Sequence, residues 1–213
     1  MYLKRYHDVQ ISPSGVWRIL KRLDMNRLPA SQRYRRHVDR WKRYEKPLPG
    51  HRVQIDVKFI APLPGSRRKH YQFTAIDDCT RIRVLRLYDR LNQTTAIRLL
   101  DYVLEKLPFK VEVIQTDSGR GVRVAVPLPR LGPRDRSRVH QASHPLNGKV
   151  ERSHRIDEEE FYGMLKGVVI DDTELFNDRL REWEDFYNFN RPHGGLGGET
   201  PYERLRRKTT GPV

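Results

Sequence analysis

Hydrophobic and polar residues alternate along four short segments of the chain, and this two-residue period predicts β-strands. In chain order the segments are HRVQIDVKFIAPL, YQFTAIDDCT, IRVLRLYD and KVEVIQTD. Between the third and the fourth, NQTTAIRLLDYVLEKL repeats apolar residues at helical spacing behind a suitable N-cap, Asn92, so a helix is predicted there. Three strands, a helix and a fourth strand indicate a domain of the α/β class.

The C-terminal part of the chain has a helical period. LNGKVERSHRIDEEEFYGML is predicted to form a helix capped by Asn147, and DTELFNDRLREWEDFYNFN a second helix that begins near Thr173. A brief helix is expected after Pro201. The acidic run from Asp157 to Glu160 is interpreted as a solvated helix face rather than as a site.

A short basic helix is predicted near the start of the chain, in YHDVQISPSGVWRILKRLDMNRLP. Ser12 is a natural N-cap, and Pro13 suits the first helical position. A capped helix with a basic face after a turn is similar to the recognition half of a helix-turn-helix, here as a remnant. An ordinary amphipathic helix packed on the next domain is the alternative. Its apolar residues are Val16, Trp17, Leu20 and Leu23, and its basic residues are Arg18, Lys21 and Arg22.

Basic and aromatic residues are interleaved in the segment that follows, SQRYRRHVDRWKRYEKPLPG. Lys and Arg can neutralise phosphates while Tyr34, Trp41 and Tyr44 offer stacking surfaces. A solvated helical linker whose aromatic residues pack on the core is the alternative. Pro47 and Pro49 punctuate the end of the segment and predict a domain boundary.

Positive charge is concentrated in two parts of the chain. The formal net charge of the 213 residues is +15. Residues 1–50 hold 13 Lys/Arg against 4 Asp/Glu, and residues 119–143 hold 6 Arg against one Asp. The remainder is nearly neutral, and this pattern favours an anionic polymer as partner, although a solvated basic surface explains either segment alone.

The single cysteine, Cys79, excludes an intramolecular disulfide framework and a cysteine-rich zinc module, and we expect it to be buried and reduced. No apolar run approaches the length of a transmembrane helix, and the N-terminus has no signal-peptide pattern. These features predict a cytoplasmic protein without a membrane partner.

Three acidic residues occupy positions that suit catalysis: Asp56 within the first strand, Asp117 at the end of the fourth, and Glu151 near the start of a helix. A carboxylate inside a buried strand costs desolvation energy unless it is hydrogen-bonded or binds a cation. Three converging carboxylates form an oxygen-only site that suits Mg²⁺ or Mn²⁺. Two such ions can activate the attacking oxygen and stabilise the leaving oxygen of a phosphodiester.

These motifs resemble bacterial insertion-sequence transposases with a retroviral-integrase-type (DDE) catalytic core. That family has an Asp in QIDVK, an Asp in a TDNG-type sequence and a Glu in NGKVER, which match Asp56, Asp117 in QTDSG and Glu151 in LNGKVERSH. The 34-residue separation of the last two agrees with the family. AIDDCTR and YNFNRPHGGLGGETPYERL are also family-typical, and the resemblance covers about residues 10–206 outside 119–143.

The resemblance implies a ribonuclease H-like core, with a mixed five-stranded sheet and flanking helices. It implies metal-dependent DNA cleavage and strand transfer, with Asp56, Asp117 and Glu151 as catalytic residues that hold Mg²⁺ or Mn²⁺, as two ions. The implied partners are double-stranded DNA, as transposon ends and target, and further copies of the chain in a homo-oligomer. Candidate DNA contacts are Lys149, Arg152 and Arg155 beside Glu151, together with Arg18, Lys21 and Arg22, and solvated helix charge is their alternative role.

Two nearby groups are weaker candidates. His154 lies on the helix of Glu151, but an intrahelical or core role is the favoured interpretation. Asp77 and Asp78 form an acidic pair at a strand end, where they are predicted to cap a turn.

The stretch from residue 119 to 143 departs from the family, which has an amphipathic helix and a short strand there. It contains no Lys and no aromatic residue, and Pro127, Pro129 and Pro133 prohibit a regular helix. Such a composition is typical of a GC-rich gene read out of frame. We therefore hypothesise a truncated and internally frameshifted copy, in which the core is disrupted at residues 119–143 and activity is lost.

The predicted organisation has three parts. Residues 1–46 are the helix-turn-helix remnant and basic linker, residues 47–166 the integrase-type core, and residues 167–213 a C-terminal helical extension and tail. The leading function is a transposase, and a catalytically inactive DNA-binding remnant is the alternative.

Overall fold

A computed structural model describes residues 2–27, 45–60, 69–117, 138–142, 148–165 and 172–210. The chain divides into two compact units, Met1–Tyr44 and Glu45–Val213. The helices are α1 (Tyr2–His7), α2 (Pro13–Arg22), α3 (Gln93–Lys106), α4 (Gly148–Ile156), α5 (Thr173–Asp185) and α6 (Pro201–Thr210), and the strands are β1 (Val53–Ile60), β2 (His70–Asp77), β3 (Arg83–Tyr88), β4 (Val113–Asp117) and β5 (Arg138–Ala142).

The first unit contains α1 and α2, joined by residues 8–12. The Ser12 hydroxyl accepts a hydrogen bond from the Gly15 N–H at 3.0 Å, and Pro13 opens α2, so the predicted cap is confirmed. The apolar stripe of α2 is not buried, because Trp17 is 49% and Leu23 is 59% exposed. The helix-turn-helix function of this unit stays a prediction, and Tyr34, Trp41 and Tyr44 lie outside the described residues.

The second unit is built on a mixed five-stranded sheet with the strand order β3-β2-β1-β4-β5. The first three strands form an antiparallel meander, and β4 and β5 add in parallel on the other side of β1. A parallel strand needs a crossover, and α3 provides it between β3 and β4.

The fifth strand forms within the stretch where a disruption of the core was expected. Residues 138–142 pair with β4 along its whole length, from Val113 opposite Arg138 to Asp117 opposite Ala142. The sheet is therefore complete at its fifth strand despite the unusual composition of the stretch. Residues 118–137 and 143–147, which include the prolines and the predicted cap Asn147, lie outside the described part of the chain.

At β1 the two faces of the sheet differ in polarity, whereas at β3 the face of Asp56 carries Leu85 and Leu87, which belong to a second apolar cluster with α5. One face is apolar and packs on α3, with Leu205 of α6 at the same core. On the other face, Gln54, Asp56 and Lys58 of β1 point towards α4, and alternate with the apolar residues of the first face. The alternation that predicted β1 thus separates a hydrophobic core from a row of polar residues, of which Gln54 is buried and Asp56 and Lys58 are partly buried.

Helix α5 covers the edge of the sheet at β3. Two side chains of α5 and one of the turn after it accept hydrogen bonds from backbone N–H groups that an edge strand leaves unpaired. These bonds run from Leu87 N to Asn177, from Leu85 N to Glu184 and from Arg83 N to Asn188. These side chains occupy the hydrogen-bonding groups of the edge strand and so protect it from pairing with another strand.

The acidic run after α4 begins with a buried residue, which corrects the interpretation of Asp157–Glu160 as a solvated face. Asp157 is fully buried and pairs with the equally buried Arg83, whose Nη1 lies 2.6 Å from Asp157 Oδ1. The next acids differ from it: Glu158 pairs with Lys58, and Glu159 pairs with Arg155 at the surface. A π-helical turn, Asp157–Phe161, follows α4, and Asp157 contacts Gln72 of β2 and Arg83 of β3.

Candidate active site

Two of the predicted carboxylate positions lie side by side at the centre of the sheet. β1 and β4 are parallel neighbours, and their last registered pair is Ile55 with Thr116. The next residue along each strand is one of the acidic residues predicted to be catalytic, Asp56 in β1 and Asp117 in β4. Because neighbouring strands are about 4.8 Å apart, the backbone brings these two positions together. The Asp117 side chain lies outside the described part of the structure.

Helix α4 and the turn after it run along β1 in the same direction. Every fourth residue of the helix meets every second residue of the strand. Four helical residues rise about 6 Å and two strand residues about 6.7 Å, so the two elements stay in step over three contacts. The contacts join Val150 N to Gln54 Oε1 at 3.4 Å, His154 Nδ1 to Asp56 Oδ2 at 3.5 Å, and Glu158 to the ammonium of Lys58.

Glu151 lies on the part of α4 between the first two of these contacts. It follows the buried Val150 directly, and its own side chain is exposed. It precedes His154 by three residues, so the two share one face of the helix. The helix therefore presents an accessible carboxylate one turn from the residue that contacts Asp56.

The start of α4 is held against the sheet by Lys149. Its ammonium donates to the backbone oxygen of Asp78 at 3.0 Å and also to the Asp78 carboxylate, which is fully buried. Gln54 Nε2 donates to the same carboxylate at 3.0 Å. Burial lowers the pKa of Lys149. Of the predicted DNA contacts, Lys149 is thus the one already engaged in positioning α4.

Asp56 is only partly buried, which leaves it accessible from solvent. Its Oδ1 accepts a hydrogen bond from the Val57 N–H at 2.8 Å, and its side chain is 23% exposed. On the other side lies His154, whose pKa burial lowers to about 4. The ring is therefore neutral at neutral pH, and the structure places it both against the sheet and at the candidate site.

Asp77 caps a turn, as predicted, whereas Asp78, the other member of the acidic pair, accepts from Gln54 and Lys149 instead. The Asp77 carboxylate accepts hydrogen bonds from the backbone N–H groups of Gly50, Cys79 and Thr80 and from the Thr80 hydroxyl. Burial raises its pKa despite these bonds. Cys79 is buried and free, as predicted, and burial raises the pKa of its thiol to about 11. Neither group is available for chemistry with a bound substrate.

The remaining basic candidates are exposed. Arg152 and Arg155 lie on α4, and Arg155 pairs with Glu159 one turn later. Arg18, Lys21 and Arg22 of α2 are exposed in the first unit, with the Lys21 ammonium 5.1 Å from the centre of the Trp17 ring. Their exposure fits contacts to a polyanion, and nothing in the geometry selects among them.

The donor chemistry of the three predicted acids fits Mg²⁺ or Mn²⁺, because all their side-chain donors are carboxylate oxygens. Asp56 and Glu151 are accessible, and the strand register puts position 117 beside position 56. Among the side chains that the structure describes, which exclude that of Asp117, no three His, Cys, Asp or Glu residues group closely enough to hold a metal ion.

Two residues on the site face of β1 were missed by reasoning from the sequence. Gln54 links the start of α4 to the sheet, and Lys58 pairs with Glu158. The signal was available, because residues two apart in a strand share a face. Gln54 and Lys58 flank Asp56 at that spacing in the same motif.

Comparisons with known proteins agree with this architecture. The family model described as an integrase core domain matches residues 137–201. A protein of Spiroplasma virus SpV1-C74 described as an integrase, ORF3, is 27% identical over 172 residues, which cover 72% of this chain and 47% of that protein. The chain thus spans about half the length of this relative.

Solved structures show the same fold. The HTLV-2 integrase catalytic core domain in complex with magnesium aligns with a TM-score of 0.53 and 15% identity, over 74% of this chain and 97% of that one. The simian T-cell lymphotropic virus intasome in complex with PP2A regulatory subunit B56 gamma aligns with a TM-score of 0.62 and 14% identity, over 91% of this chain and 68% of that one.

The fold is therefore ribonuclease H-like, with the mixed sheet and flanking helices that were predicted. Residues 137–201 match the integrase core domain model, and the chain is similar in sequence to a viral integrase, in agreement with the motifs. Within the described ranges, each helix is too short or too polar to cross a lipid bilayer.

Proposed function

We propose that this chain is a polynucleotidyl transferase of the transposase and integrase type, which cleaves DNA and joins the new end to a target strand. One observation carries the proposal: the β1–β4 register places positions 56 and 117 together, while α4 contacts Asp56 and presents Glu151. One viral integrase relative, the match to the integrase core domain model and integrase cores of the same fold support it. The core would extend over residues 47–166, with residues 1–46 as a DNA-binding arm and 167–213 as a C-terminal extension.

Asp56, Asp117 and Glu151 are the residues that would hold Mg²⁺ or Mn²⁺. Two bound ions would activate the attacking oxygen and stabilise the leaving oxygen of an in-line displacement at phosphorus. One of the structures with the same fold is described as a complex with magnesium.

The other residues of the site position these carboxylates. The Val57 N–H orients the Asp56 carboxylate, and the His154 ring lies against it. The Lys149–Asp78 pair fixes the start of α4 and with it Glu151. We assign Arg152 and Arg155 to the phosphates of the bound strand, and Arg18, Lys21 and Arg22 to contacts of the first unit with DNA.

The chemistry is a pair of displacements at phosphorus. Water first breaks a phosphodiester and leaves a 3′-hydroxyl. That hydroxyl then attacks a target phosphodiester, so that one P–O bond forms while another breaks and the leaving 3′-oxygen takes up the proton. Because the second step conserves the number of phosphodiester bonds, it needs no external energy source and is reversible.

The partners would be double-stranded DNA and further copies of the chain. Strand transfer joins two DNA molecules, and pairing of two ends calls for more than one active site. Integrase cores of the same fold are described in dimeric and trimeric forms, and one as part of an intasome.

Reversibility permits a test that needs no knowledge of the transposon ends. A branched duplex, which imitates the joined product, is incubated with the full chain and Mg²⁺ or Mn²⁺, and release of the joined strand is followed on denaturing gels. We expect release by the parent and its loss, by at least 10²-fold, in Asp56→Asn and Glu151→Gln, with DNA binding retained. Release that persists in both variants would refute the assignment.

A catalytically inactive DNA-binding protein is the second candidate. The composition of residues 119–143 favours it, because that stretch leads into the Glu151 helix and departs from the family. The same experiment separates the two functions, since this protein would bind the duplex without metal-dependent release. Sequencing of the gene tests the frameshift hypothesis: codons that are incompatible with an integrase-like shifted frame would reject it.

A further inference from the structure

Lys58 is the next residue after Asp56 on the same face of β1. Its ammonium is paired with Glu158 and lies 5.0 Å from the centre of the Tyr162 ring. Tyr162 is itself held by a hydrogen bond from its hydroxyl to Gln72 Oε1. The lysine side chain is 17% exposed, so its stem is packed while its charged end reaches the surface beside the candidate site.

From this arrangement we propose that Lys58 binds the DNA phosphate next to the one that reacts at Asp56, and that Glu158 holds its ammonium in place until DNA arrives. The inference rests on the proposed function, because it takes DNA as the ligand. It adds a residue that the motif comparison did not single out.

Spacing supports a phosphate as the ligand. Two strand residues span about 6.7 Å, and successive phosphates of one DNA strand are about 3.4 Å apart along the duplex axis. A strand that has one phosphate at Asp56 therefore brings a neighbouring phosphate within reach of the lysine side chain. A lysine binds phosphate as a compact point charge and tolerates some variation in position.

Exchange of partners is favoured by the exposure of Glu158, whose side chain is 56% exposed. Ion pairs with such a partner contribute little to stability because water screens them. A DNA phosphate can therefore replace the carboxylate, which then turns to solvent. Glu158 also repels the DNA backbone, so its removal has the opposite effect on DNA binding from the removal of Lys58.

The test measures the affinity of the full chain for a fluorescent duplex in EDTA across a salt series, so that no bound metal or turnover contributes. For Lys58→Met, which keeps the packed stem, we expect about tenfold weaker binding at low salt, the usual effect of one charge-assisted contact. The slope of log Kd against log salt should fall by about 0.9, the value for one phosphate. Glu158→Gln should bind several-fold more tightly, and Lys58→Arg should keep the parent slope.

Matched controls come from elsewhere in the second unit. Lys106→Met also removes a lysine that lies over a tyrosine ring, but on α3 at the opposite face of the sheet. Glu182→Gln removes the acid of an exposed pair on α5. Neither control should change the salt slope.

Three outcomes would overturn the inference. Equal salt slopes for parent and Lys58→Met, with strand release still lost in Asp56→Asn, would leave the proposed function standing and reject the role of Lys58. Weaker DNA binding by both Lys58→Met and Glu158→Gln, with lowered thermal stability of both variants, would show that the ion pair has a structural role only. Absence of DNA binding by the parent would reject the proposed function together with this inference.

Discussion

Asp157 is the residue whose replacement should damage the core most. Its carboxylate is fully buried and accepts hydrogen bonds from Arg83 Nη1 at 2.6 Å, Trp183 Nε1 at 2.7 Å and Gln72 Nε2 at 2.8 Å. Asp157→Asn keeps the shape but removes the charge, and it turns an amide donor towards groups that are themselves donors. The Arg83 guanidinium is then left buried without its ion-pair partner.

The expected cost follows from that geometry. Removing one partner of a buried ion pair typically costs about 3–5 kcal/mol, because the other charge stays buried. Domains of this size are stable by about 5–15 kcal/mol, so the variant should lose a large share of its free energy of unfolding. The measurement is urea unfolding at neutral pH, in which the midpoint should fall while the m-value stays unchanged.

Two controls make the result specific. Glu159→Gln changes an exposed member of the same acidic run, paired with Arg155 at the surface, and should cost less than about 1 kcal/mol. The double variant Arg83→Met, Asp157→Asn removes both charges and should be more stable than the sum of the single effects by about 2 kcal/mol or more. A loss below about 1 kcal/mol for Asp157→Asn would refute the reasoning and restore the interpretation of a solvated acidic run.

Further predictions concern the edge of the sheet and the start of α4. Burial raises the pKa of Glu184 to about 7 from 4.5, so the folded state holds its proton more tightly than the unfolded state. The free energy of unfolding should fall by roughly 3 kcal/mol through this group as pH rises from 4.5 to 7. Glu184→Gln should abolish this pH dependence when its urea unfolding is compared with that of the parent across the same pH range. Parallel pH dependences of parent and variant would contradict the prediction. Asn177→Ala leaves both the N–H and the C=O of Leu87 unpaired, and unfolding should cost about 2–4 kcal/mol less, whereas an unchanged midpoint would show that the edge is covered in another way. Lys149→Met removes the ammonium from the buried Asp78 and should lower the thermal midpoint, with a loss of about 1–3 kcal/mol; reduced DNA affinity at unchanged stability would instead make Lys149 a phosphate contact.

Local patterns in the sequence were sufficient for most of the second unit. Strands β1 to β4 follow from alternation and the cap of α3 from Asn92, as the cap of α2 in the first unit follows from Ser12, because these features depend on neighbours in the chain. Strand β5 was not predicted. Asp77 was also assigned correctly, since turn caps are local interactions.

The errors and omissions have a common physical origin in long-range contacts. The sequence around Asp157 is a run of acids, and only the fold brings Arg83, 74 residues away, beneath it. Lys58 and Glu158 are 100 residues apart, and their pairing depends on how α4 lies along β1. The apolar stripe of α2 predicts a buried face, yet Trp17 is half exposed, because periodicity indicates a helix without determining what covers it.

The roles of the candidate site residues stay a prediction. Motif resemblance supplied Asp56, Asp117 and Glu151, and the parallel register of β1 and β4 could not be deduced from alternation alone. The contact between His154 and Asp56 could likewise not be predicted from the sequence, because it depends on the matching rises of a helix and a strand.

The central claim is that Asp56, Asp117 and Glu151 converge on one site for divalent cations. It is tested most directly by loading the full chain with Fe²⁺ in place of Mg²⁺ and generating hydroxyl radicals with ascorbate and peroxide, which cut the backbone close to the bound ion. We predict cuts in all three segments, around residues 56, 117 and 151, that excess Mg²⁺ suppresses and that Asp56→Asn abolishes. Cuts in one segment only, or cuts that persist in Asp56→Asn, would contradict the claim.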